Sequence, residues 1–228
     1  MSELNHLAII MDGNRRWAKR NNLPTQKGHL EGYERVKDVG KWCIEKGIKT
    51  LTIYAFSTEN WNRSKDEVSY LMKLLTSAFN DEVEKFSELG IKVNIKGTRE
   101  GLDKKVLKSI NKIQEMTKDN SEGTLNICLN YGGRLEIVEA VKEIVKKGYK
   151  EEEITEDLID QHTWFADQPD PDLIVRTSGE QRLSGFLTWS SVYSEFYFPE
   201  CTWPEFNESE LDKAIEEYNR RHRRFGGN

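Results

Sequence analysis

Short apolar segments alternate with longer amphipathic segments along the chain, and this alternation constrains the fold more than any other feature. Six segments have the length and composition of β-strands, and several are apolar at successive positions. Such strands are typical of parallel sheets that helices cover on both sides. The predicted strands are residues 6–11, 50–56, 91–96, 124–130, 172–176 and 186–189.

The segments between these strands carry apolar residues at helical spacing. Gly47 and Gly90 follow two of them, and glycine commonly ends a helix. No repeat, low-complexity tract or linker divides the 228 residues, which suffice for one domain. We therefore predict a single α/β domain over residues 1–228, with a central, mostly parallel six-stranded sheet flanked by helices. The predicted helices are 30–46, 66–89, 104–117, 135–147, 156–162 and 209–221.

Composition narrows the class of protein. The formal net charge of −5 argues against a general nucleic-acid binder, because such proteins usually carry excess Lys and Arg. The apolar run 7–11 is too short for a signal peptide or a membrane span. The three cysteines form no CxxC pair, which fits a reducing compartment and no zinc site. We expect a cytoplasmic protein.

Ligands of α/β sheets bind beyond the carboxyl ends of the strands, so the residues after the first strand are candidates for a site. Asp12 could hold Mg²⁺, which prefers oxygen ligands, and Gly13 lets the backbone approach a phosphate closely. Arg15 and Arg16 could bond its oxygens. The alternative is a strand-to-helix turn in which Asp or Asn serves as the N-cap.

A second polar segment follows the second strand. Six polar side chains and a tryptophan stand after an apolar run, which could form a binding loop or a locally capped turn. The sequence alone leaves both readings open. The residues are Ser57, Thr58, Glu59, Asn60, Trp61, Asn62 and Arg63.

Several motifs then occur together in a specific order. They are HLAIIMDGNRRW, GHLEG, YAFSTENWNR, NYGGR and IVRTSGEQRLSGFLTW. In order and spacing they resemble the cis-prenyltransferase family, and the bacterial undecaprenyl diphosphate synthases look most similar. The resemblance extends from about His6 to Gly227, nearly the whole chain.

The resemblance implies roles for the first two motifs. Asp12 matches the family's essential acidic residue and Mg²⁺ ligand. Gly13, Asn14 and Arg16, with Arg15 beside them, match a cradle for the allylic diphosphate, and Trp17 matches a neighbouring aromatic residue. His29 matches a catalytic histidine near the diphosphates, whereas its sequence context alone favours an ordinary residue near a helix N-terminus.

The later motifs imply the remaining site. Ser57, Asn60, Trp61 and Arg63, together with Thr58 and Glu59, match a substrate-contacting loop. An amide is a poor base, so we interpret Asn60 as an orienting catalytic group. Arg176, Arg182, Leu183 and Ser184 match the isopentenyl diphosphate site, where Glu180 could fix an arginine. Glu195 matches a second Mg²⁺-associated carboxylate.

Three residues depart from the family pattern. Arg15 replaces a glycine, Thr25 stands where many relatives carry an arginine, and Gln181 stands where some carry a histidine near the metal. Arg15 could compensate for Thr25. The last departure weakens the expectation of a second metal contact.

The activity implied is Mg²⁺-dependent elongation of farnesyl diphosphate with isopentenyl diphosphate to undecaprenyl diphosphate, a lipid carrier precursor for cell-wall glycans. The growing chain requires a hydrophobic product tunnel. The apolar stripe of segment 66–89 is a candidate wall, although such a stripe ordinarily packs in a core.

The basic C-terminal segment, residues 220–224, predicts a solvated tail, a cationic helix end or transient contact with anionic lipid at the inner face of the membrane. In the family, an ending similar to Arg224-Phe225-Gly226 reaches the partner subunit's active site, which implies a homodimer.

Two rival classes remain. A non-catalytic partner subunit or lipid-binding scaffold of the same fold is disfavoured by the joint presence of Asp12, Asn60, Arg176 and Arg182. A Mg²⁺-dependent phosphate-ester hydrolase would leave two diphosphate sites unexplained.

Overall fold

The computed structural model describes residues 4–221, which fold around one six-stranded sheet in the order β3-β4-β2-β1-β5-β6. Each neighbouring pair of strands is parallel, so the predicted single-domain α/β fold is confirmed and its sheet is parallel throughout. The strands are β1 His6–Ile10, β2 Thr50–Ser57, β3 Ile91–Lys96, β4 Gly123–Tyr131, β5 Leu173–Arg176 and β6 Glu195–Tyr197.

Helices connect the strands, and polar side chains begin several of them. Ser64 accepts a hydrogen bond from the backbone N–H of Glu67, and Asp103 accepts one from that of Lys105, as N-cap residues commonly do. The helices are α1 Asn14–Arg20, α2 Thr25–Glu45, α3 Lys65–Asp81, α4 Val83–Glu88, α5 Lys104–Thr117, α6 Gly133–Lys146, α7 Glu156–Asp160 and α8 Glu208–Arg220. None of the helices described crosses a bilayer by length and hydropathy.

The sheet separates two apolar clusters. Leu7 and Ile9 of β1 face the larger one, the front cluster, which includes residues of α2, α3, α5 and α8. Ala8 and Ile10 face the smaller one, the back cluster. Successive side chains of a strand point to opposite faces, so an entirely apolar strand serves both clusters.

The back cluster adjoins a buried carboxyl group. Glu136 of α6 accepts hydrogen bonds from the Tyr131 hydroxyl at 2.5 Å and from the Trp164 backbone N–H at 3.0 Å. Burial raises the pKa of Glu136 to about 7 against these bonds and the charge of Lys96. The Glu136 carboxyl group is therefore protonated in part of the protein molecules near neutral pH.

The strand predicted at 186–189 is wrong. Residues 184–187 instead form a tight turn, in which Ser184, Gly185 and Leu187 all have positive φ. That backbone cannot join a sheet. Phe186 and Leu187 are apolar because they fill the back cluster, and the sixth strand is Glu195–Tyr197.

The single helix predicted at 66–89 is also wrong, because it divides into α3 and α4 at Glu82. The Glu82 carboxylate accepts a hydrogen bond from the Tyr33 hydroxyl of α2 at 3.1 Å. The join between α3 and α4 is thus tied to α2.

Candidate active site

The carboxyl ends of β1 and β5 bring the two charged residues that matter most into contact. These strands are neighbours, with Ile10 opposite Arg176. Asp12 Oδ2 accepts a hydrogen bond from Arg176 Nη2 at 2.9 Å, and Asp12 Oδ1 lies 3.1 Å from Arg16 Nη2. The structure therefore brings together three predicted site residues from distant parts of the chain.

These contacts determine the charge of Asp12. Partial burial opposes ionisation, but the guanidinium groups of Arg176 and Arg16 outweigh it and lower the pKa of Asp12 below its ordinary value. The carboxylate is therefore ionised at neutral pH and available to a cation.

The turn after β1 has no room for a side chain at residue 13. Gly13 has φ 107°, and a Cβ there would lie 2.1 Å from Ser178 Oγ. The Asp12 carbonyl oxygen accepts hydrogen bonds from the hydroxyls of Thr177 at 2.6 Å and Ser178 at 3.0 Å. Gly13 itself is the N-cap of α1, so the alternative of an Asp or Asn cap is wrong.

Arg176 is buried and holds the loop that follows β5. Its Nη1 donates to Ser184 Oγ at 2.8 Å and to the backbone carbonyl of Arg182. The Arg182 side chain is itself 60% exposed and pairs with Glu180. Leu183 packs beside the back cluster. One guanidinium therefore joins the two predicted diphosphate sites, and a second stands at the surface.

Glu180 links the two loops as well. Its carboxylate also lies 3.3 Å from Arg16 Nη1, so it pairs with one arginine from each predicted diphosphate site. Gln181 is exposed beside it. The expectation that Glu180 fixes an arginine is confirmed.

Two buried polar atoms at this edge have no hydrogen-bond partner among the described residues: Asn14 Oδ1 and Arg176 Nε. Buried polar atoms in proteins are nearly always bonded, and exceptions often mark sites where a ligand or water completes the bonding. Of the predicted site residues that follow Asn14 in α1, Arg15 and Arg16 are exposed and Trp17 is half-buried.

A second charged group surrounds Glu67 of α3, a residue that sequence reasoning missed. Glu67 Oε1 lies 3.0 Å from His29 Nε2, 3.1 Å from Arg63 Nη1 and 4.0 Å from Arg15 Nε. Burial lowers the pKa of His29 against the effect of Glu67. His29 does lie near the start of α2, but it is a buried, largely neutral imidazole that Glu67 holds in position. Thr25 begins the same helix.

The signal that could have identified Glu67 was weak. It stands four residues after Arg63, a spacing at which opposite charges meet on a helix surface. Acidic residues are also common in the first turn of ordinary helices, where the helix dipole favours them.

The loop after β2 is capped by its own residues. Asn60 Oδ1 accepts a hydrogen bond from the Ser57 backbone N–H at 3.1 Å, and Thr58–Asn62 forms a 3-10 helix that includes Glu59. The locally capped turn therefore exists. Because the Asn60 oxygen is occupied, the residue is better suited to orient a group than to accept a proton.

A cavity of about 840 Å³ extends from this site into the front cluster. Asn14 and His29 of the site line it, together with apolar residues that include Leu75, Phe79 and Leu89. Pockets for small molecules typically have ~300–1,000 Å³ and are mostly apolar, so this cavity is large enough for a long apolar ligand.

Glu195 lies elsewhere. It begins β6 opposite Leu173, three residues before Arg176 along the neighbouring strand, and its carboxylate contacts Arg221 Nη1 at 2.6 Å. At ~3.3 Å per residue it lies about 10 Å below the level of Arg176. Within one chain, the structure does not bring Glu195 and Asp12 together. The predicted ending Arg224-Phe225-Gly226 lies outside the described residues.

Comparison with known sequences identifies the family. Residues 10–226 match the family described as "Putative undecaprenyl diphosphate synthase". An isoprenyl transferase of Thermotoga maritima is 50% identical over 97% of this chain and 96% of its own length. One of Fusobacterium nucleatum is 49% identical over 97% and 95%.

Solved structures agree. The lavandulyl diphosphate synthase of Lavandula x intermedia, in complex with dimethylallyl diphosphate, has a TM-score of 0.94 at 35% identity and covers 97% of this chain and 98% of its own. A probable undecaprenyl diphosphate synthase of Campylobacter jejuni has a TM-score of 0.83 at 33% identity, covering 99% and 100%. The chain therefore belongs to the undecaprenyl diphosphate synthase family and is a prenyltransferase of that type.

Proposed function

We propose that this prenyltransferase elongates farnesyl diphosphate with isopentenyl diphosphate, in a Mg²⁺-dependent reaction, to give undecaprenyl diphosphate for cell-wall glycan synthesis. One observation carries the proposal. The Asp12–Arg176 pair, with Arg16 beside it, stands next to Met11 and Asn14, which line a large apolar cavity. Charged donors suit diphosphates, and the cavity suits the hydrocarbon chain.

The donor set fits a magnesium ion that substrate helps to hold. Asp12 is an ionised, partly exposed carboxylate, and residues 4–221 contain no cluster of three metal-ligating side chains. Mg²⁺ commonly binds one or two carboxylates together with substrate phosphates, not an all-protein cage. Asp12 would hold the ion, which would neutralise the departing diphosphate as a Lewis acid.

Two diphosphates can be assigned to the two loops. The allylic diphosphate would bind the turn of Gly13, Asn14 and Arg16, where the Arg16 guanidinium and the Asn14 side-chain NH₂ can donate to phosphate oxygens. Isopentenyl diphosphate would bind Arg176, Arg182 and Ser184, since guanidinium groups offer paired donors to phosphate oxygens.

The condensation requires positioning more than covalent chemistry. C4 of isopentenyl diphosphate attacks C1 of the allyl group as the C1–oxygen bond breaks. A proton then leaves C2 of the isopentenyl unit, and a cis C2–C3 double bond remains. Arginines that hydrogen bonds hold in position, such as Arg176, would stabilise the charge of the leaving group. A closely fitting site would align the two carbons. Neutral His29 donates its one N–H from Nε2 to the Glu67 carboxylate, so Nδ1 is left as a proton acceptor that could relay a proton near the diphosphates.

The proposal includes a homodimer. Val138, Val141 and Val145 lie exposed on α6 at helical spacing. Val192 and Tyr193 are exposed just before β6. Exposed apolar residues in groups commonly mark protein interfaces. A second copy is the occupant that the family resemblance favours, and sedimentation at micromolar concentration tests this.

We place the enzyme in the cytoplasm with transient contact at the inner membrane face. Its product would carry a long hydrocarbon chain, which partitions into lipid. Binding to vesicles with and without anionic lipid measures this contact directly.

The decisive experiment supplies farnesyl diphosphate, labelled isopentenyl diphosphate and Mg²⁺, followed by sizing of the extracted lipid. We expect a product of eleven isoprene units. Phosphate release without isopentenyl diphosphate would instead indicate a hydrolase, and a short product would change the substrate assignment within the family.

Asp12→Asn is the variant that tests the role of the carboxylate. It keeps the size of the side chain but removes the charge that pairs with Arg176, so we expect turnover to fall by about 10³-fold. Near-normal elongation by a folded Asp12→Asn protein would contradict the metal assignment.

A further inference from the structure

The motif NYGGR has no role in the site as described so far. Its first residue, Asn130, is buried near the end of β4, at the same edge of the sheet as Asp12. Asn130 has φ 52°, a left-handed conformation that Asn tolerates better than most residues. A buried residue with unusual backbone geometry beside a site invites a search of its contacts.

The side-chain amide of Asn130 bonds two different loops. Its Oδ1 accepts a hydrogen bond from Trp61 Nε1 at 2.7 Å, and its Nδ2 donates to the carbonyls of Thr98 at 3.2 Å and Glu100 at 2.9 Å. An amide has two N–H donors and one carbonyl, and all of these groups are engaged. Its orientation is therefore determined.

Trp61 gains its position from this bond. The indole meets Phe56 edge to face at 5.1 Å, but it remains 39% exposed and borders a cleft of about 350 Å³ with Thr98, Glu100 and Asn130. A half-exposed ring with few packing contacts takes its orientation largely from its hydrogen bond. The other face of the indole stays open.

The following glycines extend the same arrangement to both loops of the site. A Cβ at Gly132 would lie 2.7 Å from Thr58 Oγ1, and Gly133 N donates to the carbonyl of Gly185 at 2.7 Å. The end of β4 therefore touches the loop after β2 and the loop that carries Ser184. Both loops therefore pack against the same strand end, which fixes their positions relative to each other.

We propose that Asn130 is a positioning residue for prenyl transfer, which fixes the indole of Trp61 and with it the turn that presents Asn60 and Arg63. This proposal rests on the proposed function only for its kinetic consequence. We call the hydrogen bond from Trp61 Nε1 to Asn130 Oδ1 the clamp, and its existence does not depend on the reaction.

A double-mutant cycle tests the coupling. Asn130→Gly removes the amide and tolerates the positive φ, and Trp61→Phe removes the indole N–H. We expect Asn130→Gly to lower kcat/KM about 10-fold in the wild-type background but less than about 2-fold in the Trp61→Phe background. Equal losses in both backgrounds would overturn the proposal.

Asn126→Ala is the matched control. Asn126 is buried in the same strand, but it bonds Thr52, Gln168 and Asn94 instead of the loops. Its loss should lower stability equally in both backgrounds and leave the cycle additive. A non-additive cycle for Asn126 as well would reassign the effect to general destabilisation of β4.

A readout independent of activity separates this proposal from the proposed function. The Trp61 indole N–H resonance, assigned by its loss in Trp61→Phe, should exchange slowly with solvent in the wild-type protein, because its acceptor is buried. Exchange as fast as that of free indole would refute the clamp, even if Asn130→Gly failed to fold. Slow exchange without any prenyl transfer would support the clamp and refute the proposed function.

Discussion

The two faces of the sheet use the same strands in opposite ways. On the back, Phe186 stacks on Tyr54 at 4.8 Å and lies edge to face with Tyr131, so large rings fill the space. On the front, α2 and α3 stand over a cavity of about 840 Å³. A protein interior normally packs like an organic crystal, so the hollow face gives up stability that a filled one would provide.

This difference teaches where function constrains the sequence. The back face is filled by side chains, and under the proposed function the cavity of the front face would provide the space that a growing chain requires. Changes on the back should therefore affect the free energy of unfolding, and changes on the front should affect the size of hydrocarbon chain that the cavity accepts. Changes at the sheet edge that carries Asp12 and Arg176 should affect the rate of prenyl transfer.

The edge should give the largest effect. Arg176 bonds both Asp12 and Ser184, so Arg176→Lys, which lacks the paired donors, should lower kcat/KM for both substrates by about 10²–10³-fold. Arg182 is mostly exposed, so Arg182→Lys should raise only the KM for isopentenyl diphosphate, by about 10-fold. Steady-state kinetics with each substrate varied in turn measures both. Similar effects of the two changes would erase the distinction between the buried and the exposed arginine.

The buried acid beside the back face should make stability depend on pH. The pKa of Glu136 is raised to about 7, so the protonated form is favoured in the folded protein. Its stabilising contribution is fully present below the unfolded pKa near 4.3 and is lost as pH rises through about 7. At about 1.4 kcal/mol per unit of pKa, the full loss from below about 4.3 to above about 7 amounts to roughly 4 kcal/mol.

Urea unfolding of the wild type and Glu136→Gln between pH 5 and 8 measures this loss. Lys96 and Asp160 also face the group, and they are unchanged in the variant. Glu136→Gln should lack this component of the pH dependence. Parallel pH profiles for the two proteins would show that Glu136 ionises normally.

A pair of identical substitutions compares the two faces directly. Leu187 is fully buried in the back cluster, so Leu187→Ala should cost about 3 kcal/mol of unfolding free energy. Leu75 is half-buried and already borders the cavity, so Leu75→Ala should cost about 1 kcal/mol. Urea unfolding at one pH measures both. Equal costs would mean that the front face is packed as tightly as the back.

The smallest effect concerns a glycine on the hollow face. A Cβ at Gly40 of α2 meets nothing within 4 Å, so Gly40→Ala should raise stability by about 1 kcal/mol through helix propensity. Gly32→Ala in the same helix is the contrast, because its Cβ would lie 2.4 Å from the buried Asn14 Oδ1. Thermal unfolding should move the two variants in opposite directions, and a gain in both would show that Gly32 has room.

The sequence predicted five of the six strands because their apolar runs are continuous, and it failed where apolar residues serve another purpose. Phe186 and Leu187 read as a strand, yet they are the buried points of a left-handed turn. Backbone handedness leaves no trace in hydropathy. The short strand Glu195–Tyr197 has a half-buried pattern that offers little signal.

The candidate site was predictable where strand ends carry charge. Asp12 and Arg176 follow directly from sheet topology, since the ends of neighbouring parallel strands meet. Glu67 and Asn130 were not predictable, because a helical acid and a strand amide reveal their partners only in three dimensions. Glu195 contacts Arg221 within one chain, and its predicted association with Mg²⁺ stays a prediction.

The Asp12–Arg176 contact has a consequence for the whole catalytic cycle. An enzyme that adds one unit after another must let go of pyrophosphate after each addition. Because the protein's own carboxylate already pairs with this guanidinium, an anion that bound Arg176 under the proposed function would meet an internal competitor for part of its charge. Such competition would favour early departure of the by-product.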